Sequence, residues 1–440
     1  GSMYILDEPS IGLHPRDTSR LVEVLKTLRD LGNTVIVVEH EEEVMRSADE
    51  IIDIGPDAGS HGGELVFQGT IADLKKQNGH ANTHTSRYLS GAESIPVPET
   101  RREFAHNISI RGARENNLKH IDVDIPLGVL TVVTGVSGSG KSTLVKRILY
   151  PALGKLFGTV NESTGKFDKL EGALRQVSQV EFVDQNPIGK SSRSNPVTYV
   201  KAYDGIRQLF SEQPLAKQRG YKPAFFSFNV DGGRCENCQG EGEVKIEMQF
   251  MADIYLTCEA CGGKRFKKEI LEVKYKEKDI AEVLDMTVDD SVDFFADQNT
   301  IINKLQPLQD VGLGYVRLGQ SSNSLSGGEA QRVKLASFLG KGNTSRAQQE
   351  HIMFIFDEPT TGLHFHDIRK LMDAINALIE QGNSVVIIEH NMEVIKSADW
   401  IIDLGPEGGD QGGQLTFAGR PEEMIRLEDN HTARYLKEKF

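Results

Sequence analysis

Gly135-Val136-Ser137-Gly138-Ser139-Gly140-Lys141-Ser142-Thr143 fills every fixed position of the pattern G-x-x-x-x-G-K-[ST]. The residues before it, Leu130-Thr131-Val132-Val133-Thr134, are apolar and β-branched, as a buried strand requires. Those after it, Leu144-Val145-Lys146-Arg147-Ile148-Leu149, read as a helix. A strand, a glycine-rich turn and a helix make a phosphate cradle. Glycines let successive backbone N–H groups face one anion, and the helix N-terminus adds partial positive charge. The pattern assigns Gly135, Ser137, Gly138, Gly140, Lys141, Ser142 and Thr143 to nucleotide binding, with Lys141 on the β- and γ-phosphates and Ser142 on Mg2+. The expected fold class is α/β with a parallel-sheet core.

Working outward, an N-terminal stretch recurs at the C-terminus. Tyr4-Ile5-Leu6-Asp7-Glu8-Pro9 matches Phe354-Ile355-Phe356-Asp357-Glu358-Pro359, Gly12-Leu13-His14 matches Gly362-Leu363-His364, and Glu39-His40 matches Glu389-His390. The register runs without a gap from Tyr4 to Gly69; a three-residue slip then brings Arg87-Tyr88-Leu89 onto Arg434-Tyr435-Leu436. Each copy reads as a buried strand ending in Asp-Glu, a helix, and a second buried strand ending in Glu-His. The periodicity predicts buried helix faces at Leu21, Val24, Leu25 and Leu28 in one copy and at Ile368, Leu371, Met372 and Ile375 in the other. Alternating strands and helices imply a parallel sheet covered on both faces.

Only the second copy follows a P-loop. The expectation is therefore a C-terminal part of a longer tandem protein, entered within its first nucleotide-binding unit, of which Asp7, Glu8 and His40 remain. Gly1-Ser2 ahead of Met3 reads as a cloning remnant. Expected segments are 1–90 (the truncated first unit), 91–183 (a linker, with Gly91, Pro96 and Pro98, then an antiparallel region and the P-loop lobe), 184–324 (an inserted signature domain) and 325–440.

The chain has 440 residues and a net charge of −14, which argues against whole-surface attraction to nucleic acid but allows a local basic face. No run of about 18 apolar residues and no signal-peptide pattern occur, so no membrane span and a cytoplasmic location are expected. The four cysteines form Cys235-x2-Cys238 and Cys258-x2-Cys261. Paired C-x-x-C turns supply four thiolates to a tetrahedral Zn2+, and no further ligand is spaced nearby, so a closed structural site is expected. Between P-loop and cysteines, residues 187–234 mix basic side chains with Tyr199, Tyr203, Phe210, Tyr221, Phe225, Phe226 and Phe228. Such a mixture suits a surface that holds phosphates and stacks on bases, or a solvated face over an ordinary core, the reading a basic run alone would favour. Lys190 and Arg193, with Lys264, Arg265, Lys267 and Lys268 beyond the cysteines, are the candidate DNA contacts.

Gln185 follows a short apolar run and is placed to touch Mg2+ and an attacking water. Leu325-Ser326-Gly327-Gly328-Glu329 opens a helix, so Ser326, Gly327 and Gly328 form a second anion site. Two phosphate sites in one unit serve one nucleotide only if two units meet head to tail. Asp357 at a strand end is expected to serve Mg2+, Glu358 to activate water, and His390 to contact the γ-phosphate.

These residues together resemble an ABC-type ATPase. The four-cysteine module between P-loop and signature, Asp184-Gln185-Asn186-Pro187-Ile188-Gly189, Arg193-Ser194-Asn195-Pro196 and Thr361-Gly362-Leu363-His364 make the sequence similar to the UvrA family, the damage-recognition subunits of the bacterial excinuclease. The resemblance covers essentially the whole chain. It implies ATP/ADP, Mg2+ and Zn2+ as cofactors, homodimerisation driven by ATP, binding of lesion-bearing double-stranded DNA, and delivery of a UvrB partner whose site is expected upstream. It implies Glu358, His390 and Gln185 as the catalytic set, with slow ATP hydrolysis unless two chains pair. Two other readings remain: a different ABC-type ATPase, or a zinc-stabilised DNA-binding module on a nucleotide-binding scaffold.

Overall fold

The computed structural model divides the chain into one unit made of Gly1–Asp184 with Thr344–Phe440 and another made of Gln185–Asn343. It describes every residue except 60, 61, 77–82, 190, 192, 247–253 and 341–349. Among the described residues no helix is long and apolar enough to cross a membrane.

The strands are β1 (Met3–Asp7), β2 (Thr34–Val38), β3 (Ile51–Gly55), β4 (Glu64–Gly69), β5 (Asn107–Ala113), β6 (Ile121–Pro126), β7 (Leu130–Gly135), β8 (Lys169–Gly172) and β9 (Gln179–Val183). β10 (Glu243–Ile246) and β11 (Ile254–Thr257) lie in the second unit; β12 (Ile352–Asp357), β13 (Ser384–Ile388), β14 (Trp400–Gly405) and β15 (Gln414–Gly419) return to the first. One six-stranded sheet has the order β15-β14-β7-β13-β12-β9 and is parallel except for β15. Every residue of β7 and β13 is buried, which their unbroken Val/Ile runs require of a sheet covered on both faces. A three-stranded antiparallel sheet, β6-β5-β8, contributes Ile108, Ile110, Val123 and Ile125 to the same core as Leu144, Ile148, Ile355 and Val386. Each such buried side chain contributes about 1.5–3 kcal/mol of transfer free energy. The helix after the P-loop is π-helical over Thr143–Leu149 and α-helical over Tyr150–Phe157.

The repeat is structural. β1 pairs with β2 as β12 pairs with β13, in the same register: Met3↔Thr34 and Met353↔Ser384. β3–β4 and β14–β15 share an irregularity at Asp53/Ile54 and Asp403/Leu404. In the C-terminal copy β7 fills the gap between β13 and β14. In the N-terminal copy no described strand lies between β2 and β3. Ile5, Ile52 and Ile54 are therefore 71%, 62% and 61% exposed, whereas their counterparts Ile355, Ile402 and Leu404 are at most 1% exposed.

The helix Phe365–Glu380 buries Ile368, Leu371, Met372 and Ile375 as expected. In its counterpart, Pro15–Asp30, Val22 and Leu25 are buried and Val24 is 57% exposed, so the buried stripe is narrower than expected. Ahead of the linker expected from residue 91 lies an ordered helix, His84–Leu89, with a capping box between Thr83 and Ser86 and a buried Leu89.

The second unit is mainly helical, with Ala202–Ser211, Val288–Phe294, Asn299–Asp310 and Gly327–Leu339. The signature helix belongs here and not with residues 344–440, so the boundary expected at 324/325 is corrected. On that helix Arg332 donates to the carbonyls of Val311 (3.4 Å) and Gly312 (3.2 Å), and Val333, Leu335 and Ala336 are buried. The aromatics expected to stack on bases are largely core: Tyr203, Phe210, Phe226 and Phe228 are at most 3% exposed, and the Tyr203 hydroxyl donates to the Phe226 carbonyl at 2.6 Å.

Candidate nucleotide site and zinc module

The P-loop leaves the buried end of β7. Gly135 has φ 129° and Gly140 φ 106°, the left-handed region that favours glycine. A Cβ on Gly135 would lie 2.0 Å from the Leu404 carbonyl oxygen, so the turn can pass its neighbour strand only as glycine. Lys141 is 6% exposed and folds back on its own loop, with Nζ donating to the carbonyls of Gly135 (3.0 Å) and Val136 (2.9 Å). The Ser137 N–H donates to the carboxylate of Asp17 at 3.3 Å, so an anionic oxygen already sits on one amide of the cradle. That donor set fits a phosphate group. Asn117 Nδ2 donates to the carbonyls of Gly138 and Gly409, both at 2.9 Å, and Asn116 Nδ2 donates to Thr143 Oγ1 at 3.2 Å. Neither asparagine was identified as a site residue from sequence.

β12 ends at Asp357, whose carboxylate pairs with Lys146 on the helix after the P-loop. An ammonium standing on this carboxylate marks a position suited to a cation, and with the Ser142 hydroxyl on the loop the residues fit Mg2+. Burial raises the Asp357 pKa, and Lys146 opposes the shift. Glu358 has φ 44°, unusual for glutamate and held by the strand-to-helix turn. His390 Nε2 lies 3.5 Å from Glu358 Oε1, and the hydrogen bond between them holds the Glu358 pKa below its usual value. Glu389 orients this pair from below: its carboxylate accepts from the N–H of Thr360 (3.0 Å), His390 (2.8 Å) and Asn391 (3.0 Å). The N-terminal copy repeats the arrangement, with Glu8 at φ 43° and His40 Nε2 3.3 Å from Glu8 Oε1.

Burial pushes Lys141 down to about 8. Phosphates favour its charged form, so nucleotide binding near pH 8 takes up a proton. Affinity for Mg-ATP is expected to be flat below about pH 7.5 and to fall, by at most about tenfold per pH unit, as the free lysine deprotonates above it. Calorimetry in buffers of different ionisation enthalpy measures the uptake; zero uptake between about pH 7.5 and 9 would exclude a buried, titrating Lys141.

In the second unit, Gln185 lies beside the start of the signature helix: a Cβ on Gly327 would meet its Oε1 at 3.0 Å. Ser326 caps that helix, accepting from the Glu329 N–H at 3.2 Å, while Glu329 accepts from the Ser326 N–H at 2.8 Å. Gly328 is buried in the first turn.

The four cysteine sulfurs converge. Cys235 and Cys258 Sγ are 4.0 Å apart, Cys238 and Cys261 Sγ 3.7 Å, and all four ligand atoms lie within 4.8 Å of one another. Zn–S bonds of about 2.3 Å in a tetrahedron put sulfurs about 3.8 Å apart, so the site fits Zn2+. Asn237 Nδ2 donates to Cys258 Sγ (3.4 Å) and the Gly242 N–H to Cys238 Sγ (3.3 Å), bonds that favour thiolates.

The basic candidates separate. Lys264 and Lys268 are exposed. Lys267 pairs with Glu236 at 2.5 Å, and Arg193 donates to the Gln239 carbonyl at 3.3 Å. Arg265 is corrected from a surface contact to a structural residue: it donates to the Gly319 carbonyl at 3.0 Å and lies over the Phe228 ring. Lys190 falls outside the described residues.

No family model matches the sequence. Relatives do. UvrABC system protein A of Aquifex aeolicus is 55% identical over 438 residues, which is 99% of this chain and 46% of that protein. The Micrococcus luteus protein of the same name is 55% identical over 442 residues, covering 100% of this chain and 43% of its own length. The crystal structure of UvrA2 from Deinococcus radiodurans superposes with a TM-score of 0.91 at 45% identity, over 99% of this chain and 51% of that one. Over essentially its whole length the chain is similar to these UvrA proteins. It spans about half the length of the curated UvrA relatives it matches, and its architecture is that of an ABC-type ATPase: a parallel core, an antiparallel subdomain and an inserted unit with the four-cysteine cluster.

Proposed function

We propose that this chain binds and hydrolyses ATP as part of a DNA-damage-recognition ATPase of nucleotide excision repair, nucleotide state controlling dimerisation and DNA binding. The observation that carries the reading is the meeting of P-loop, Asp357, Glu358 and His390 at the ends of adjacent strands, in a chain similar to UvrA from end to end. ATP phosphates replace the present occupants of the cradle. Lys141 leaves the Gly135 and Val136 carbonyls for phosphate oxygens. Mg2+, when bound, would neutralise phosphate charge, with Ser142 and Asp357 holding it once Lys146 gives way. Glu358 takes a proton from the water aligned on the γ-phosphate, and His390 holds that carboxylate in place. Gln185 orients the water, and Ser326-Gly327-Gly328 close over a γ-phosphate from another unit, which makes homodimerisation part of the cycle. Cytoplasmic location, lesion-bearing DNA and a UvrB partner belong to the same reading, and no residue of this chain is assigned to the UvrB contact.

The test is duplex affinity with and without Mg-ATP, on damaged and undamaged DNA. ATP is expected to shift the preference between the two duplexes; identical affinities in all four conditions would overturn the reading. Lys264→Ala with Lys268→Ala is expected to weaken both duplexes alike and to lower the salt slope by about 2, since phosphate contacts carry no sequence information. An unchanged slope would remove these lysines from the interface.

A further inference from the structure

Two hydrogen-bonded chains, one buried and one part-buried, cross between the repeat copies, and the proposed ATP reaction uses neither. His14 is the N-cap of the helix Pro15–Asp30 in the N-terminal copy. Its Nδ1 accepts from the Arg16 N–H at 3.1 Å, which places the ring proton on Nε2. Nε2–H then donates to Thr432 Oγ1 at 3.0 Å, and the Thr432 hydroxyl donates to Asp403 Oδ1 at 2.9 Å. Thr432 and Asp403 belong to the C-terminal copy. The mirror chain runs the other way: His364 Nε2 reaches Thr85 Oγ1 at 3.1 Å, and Thr85 Oγ1 donates to Asp53 Oδ1 at 3.2 Å.

The first chain ends beside the P-loop. Asp403 pairs in register with Thr134 on β7, and its charge acts on the Lys141 ammonium. Its other oxygen accepts from Thr416 and Asn430, both at 2.6 Å, so three fixed donors hold it. His14, Thr432 and Asp403 are 0%, 1% and 3% exposed, leaving no room for water to replace a lost member. Burial pushes His14 down to about 3, so it remains a neutral donor across the working pH range. The same helix start touches the P-loop twice more: the His14 N–H points at Ser137 Oγ (3.4 Å), and Asp17 accepts from the Ser137 N–H. The second chain ends at Asp53, which has no described P-loop strand beside it.

We propose that His14 of the N-terminal copy is a positioning residue for the C-terminal copy's nucleotide site, acting through Thr432 and Asp403 on Lys141. It rests on the ATP-site reading above. The two chains are alike in chemistry but differ in what they end on, and this separates positioning from simple cohesion between copies.

The experiment measures affinity for a fluorescent N-methylanthraniloyl ATP with Mg2+, alongside thermal unfolding. His14→Ala and Thr432→Val are each expected to weaken binding about tenfold, and the double variant by no more than either alone, because both cut one chain. His14→Gln, whose Nε2 can reach the same acceptor, is expected to recover most of the affinity. His364→Ala and Thr85→Val are expected to lower the melting temperature while leaving affinity within about twofold, the ordinary spread for distant sites. Equal effects of His14→Ala and His364→Ala on affinity would overturn the proposal, as would no effect of either, or multiplicative effects of His14→Ala and Thr432→Val. If His14→Ala does not fold, His14→Gln decides: wild-type affinity supports the donor role, and a loss of about tenfold in a folded protein overturns it. Absence of nucleotide binding by the unsubstituted chain would instead defeat the ATP-site reading.

Discussion

Glu358→Gln is expected to lower single-turnover ATP hydrolysis by about 10²–10⁴-fold, the usual contribution of a positioned base, with nucleotide affinity little changed. The substitution is isosteric. The amide oxygen can still accept from His390, and the left-handed turn at φ 44° is kept. Only the capacity to take a proton from water is lost. Because the carboxylate faces His390 and Lys141, its removal also makes the pocket less negative, so ATP affinity is expected to stay level or rise slightly. Hydrolysis of [γ-32P]ATP at enzyme excess checks the rate, and titration with the fluorescent analogue checks binding. A rate within about threefold of the unsubstituted chain would show that Glu358 is not the base and would favour a nucleotide-binding scaffold without turnover.

The second large effect concerns the cysteines. Each residue of β10 and β11 is exposed, so this hairpin has little apolar burial of its own. What ties its surroundings down is the sulfur cluster and the backbone bonds of the knuckles, such as Cys235 N–H to the Arg265 carbonyl (2.8 Å) and Cys258 N–H to the Gly242 carbonyl (2.9 Å). Structural zinc of this kind contributes on the order of 10–16 kcal/mol in isolated fingers. Cys258→Ser is expected to reduce zinc from one per chain to none and to erase amide protection over residues 235–246 and 254–266. The helices Ala202–Ser211 and Asn299–Asp310, which bury Ile206 and Phe210 and Ile301, Leu305 and Leu308, are expected to keep theirs. Atomic absorption and hydrogen exchange read the two halves of this expectation. Retained zinc with full protection would rule out a four-thiolate site.

The P-loop, the paired C-x-x-C spacing and the repeat were legible in the sequence because each is set by local geometry or by self-similarity. What escaped depends on neighbours distant in the chain. Asn117, Lys146, Asp17 and Asp403 gain their place at the site only when strands from three parts of the chain come together, and each is an ordinary polar residue in its own segment. One signal was available: the 350-residue offset pairs His14 with His364 and Asp53 with Asp403, and identical polar residues at matching positions of two copies mark shared contacts. Of the two readings open for the aromatics after Pro187, core packing holds for Tyr203 and Phe210, which with Ile206 fall on one helical face, as a core stripe does. The signature helix was placed in the wrong unit because its motif points to the nucleotide while its apolar side chains pack with the inserted helices.

The gap between β2 and β3 has a colloidal consequence. Two open strand edges flank apolar side chains at Ile5, Ile52 and Ile54, a surface that favours edge-to-edge pairing between molecules. What holds copies apart is a net charge of −14 per chain. That repulsion reaches about 30 Å at 0.01 M salt and about 8 Å at 0.15 M, whereas strand pairing and apolar contact are not screened. Self-association of this chain is therefore expected to rise with added salt, and light scattering at about 0.01 M and about 0.15 M salt checks it.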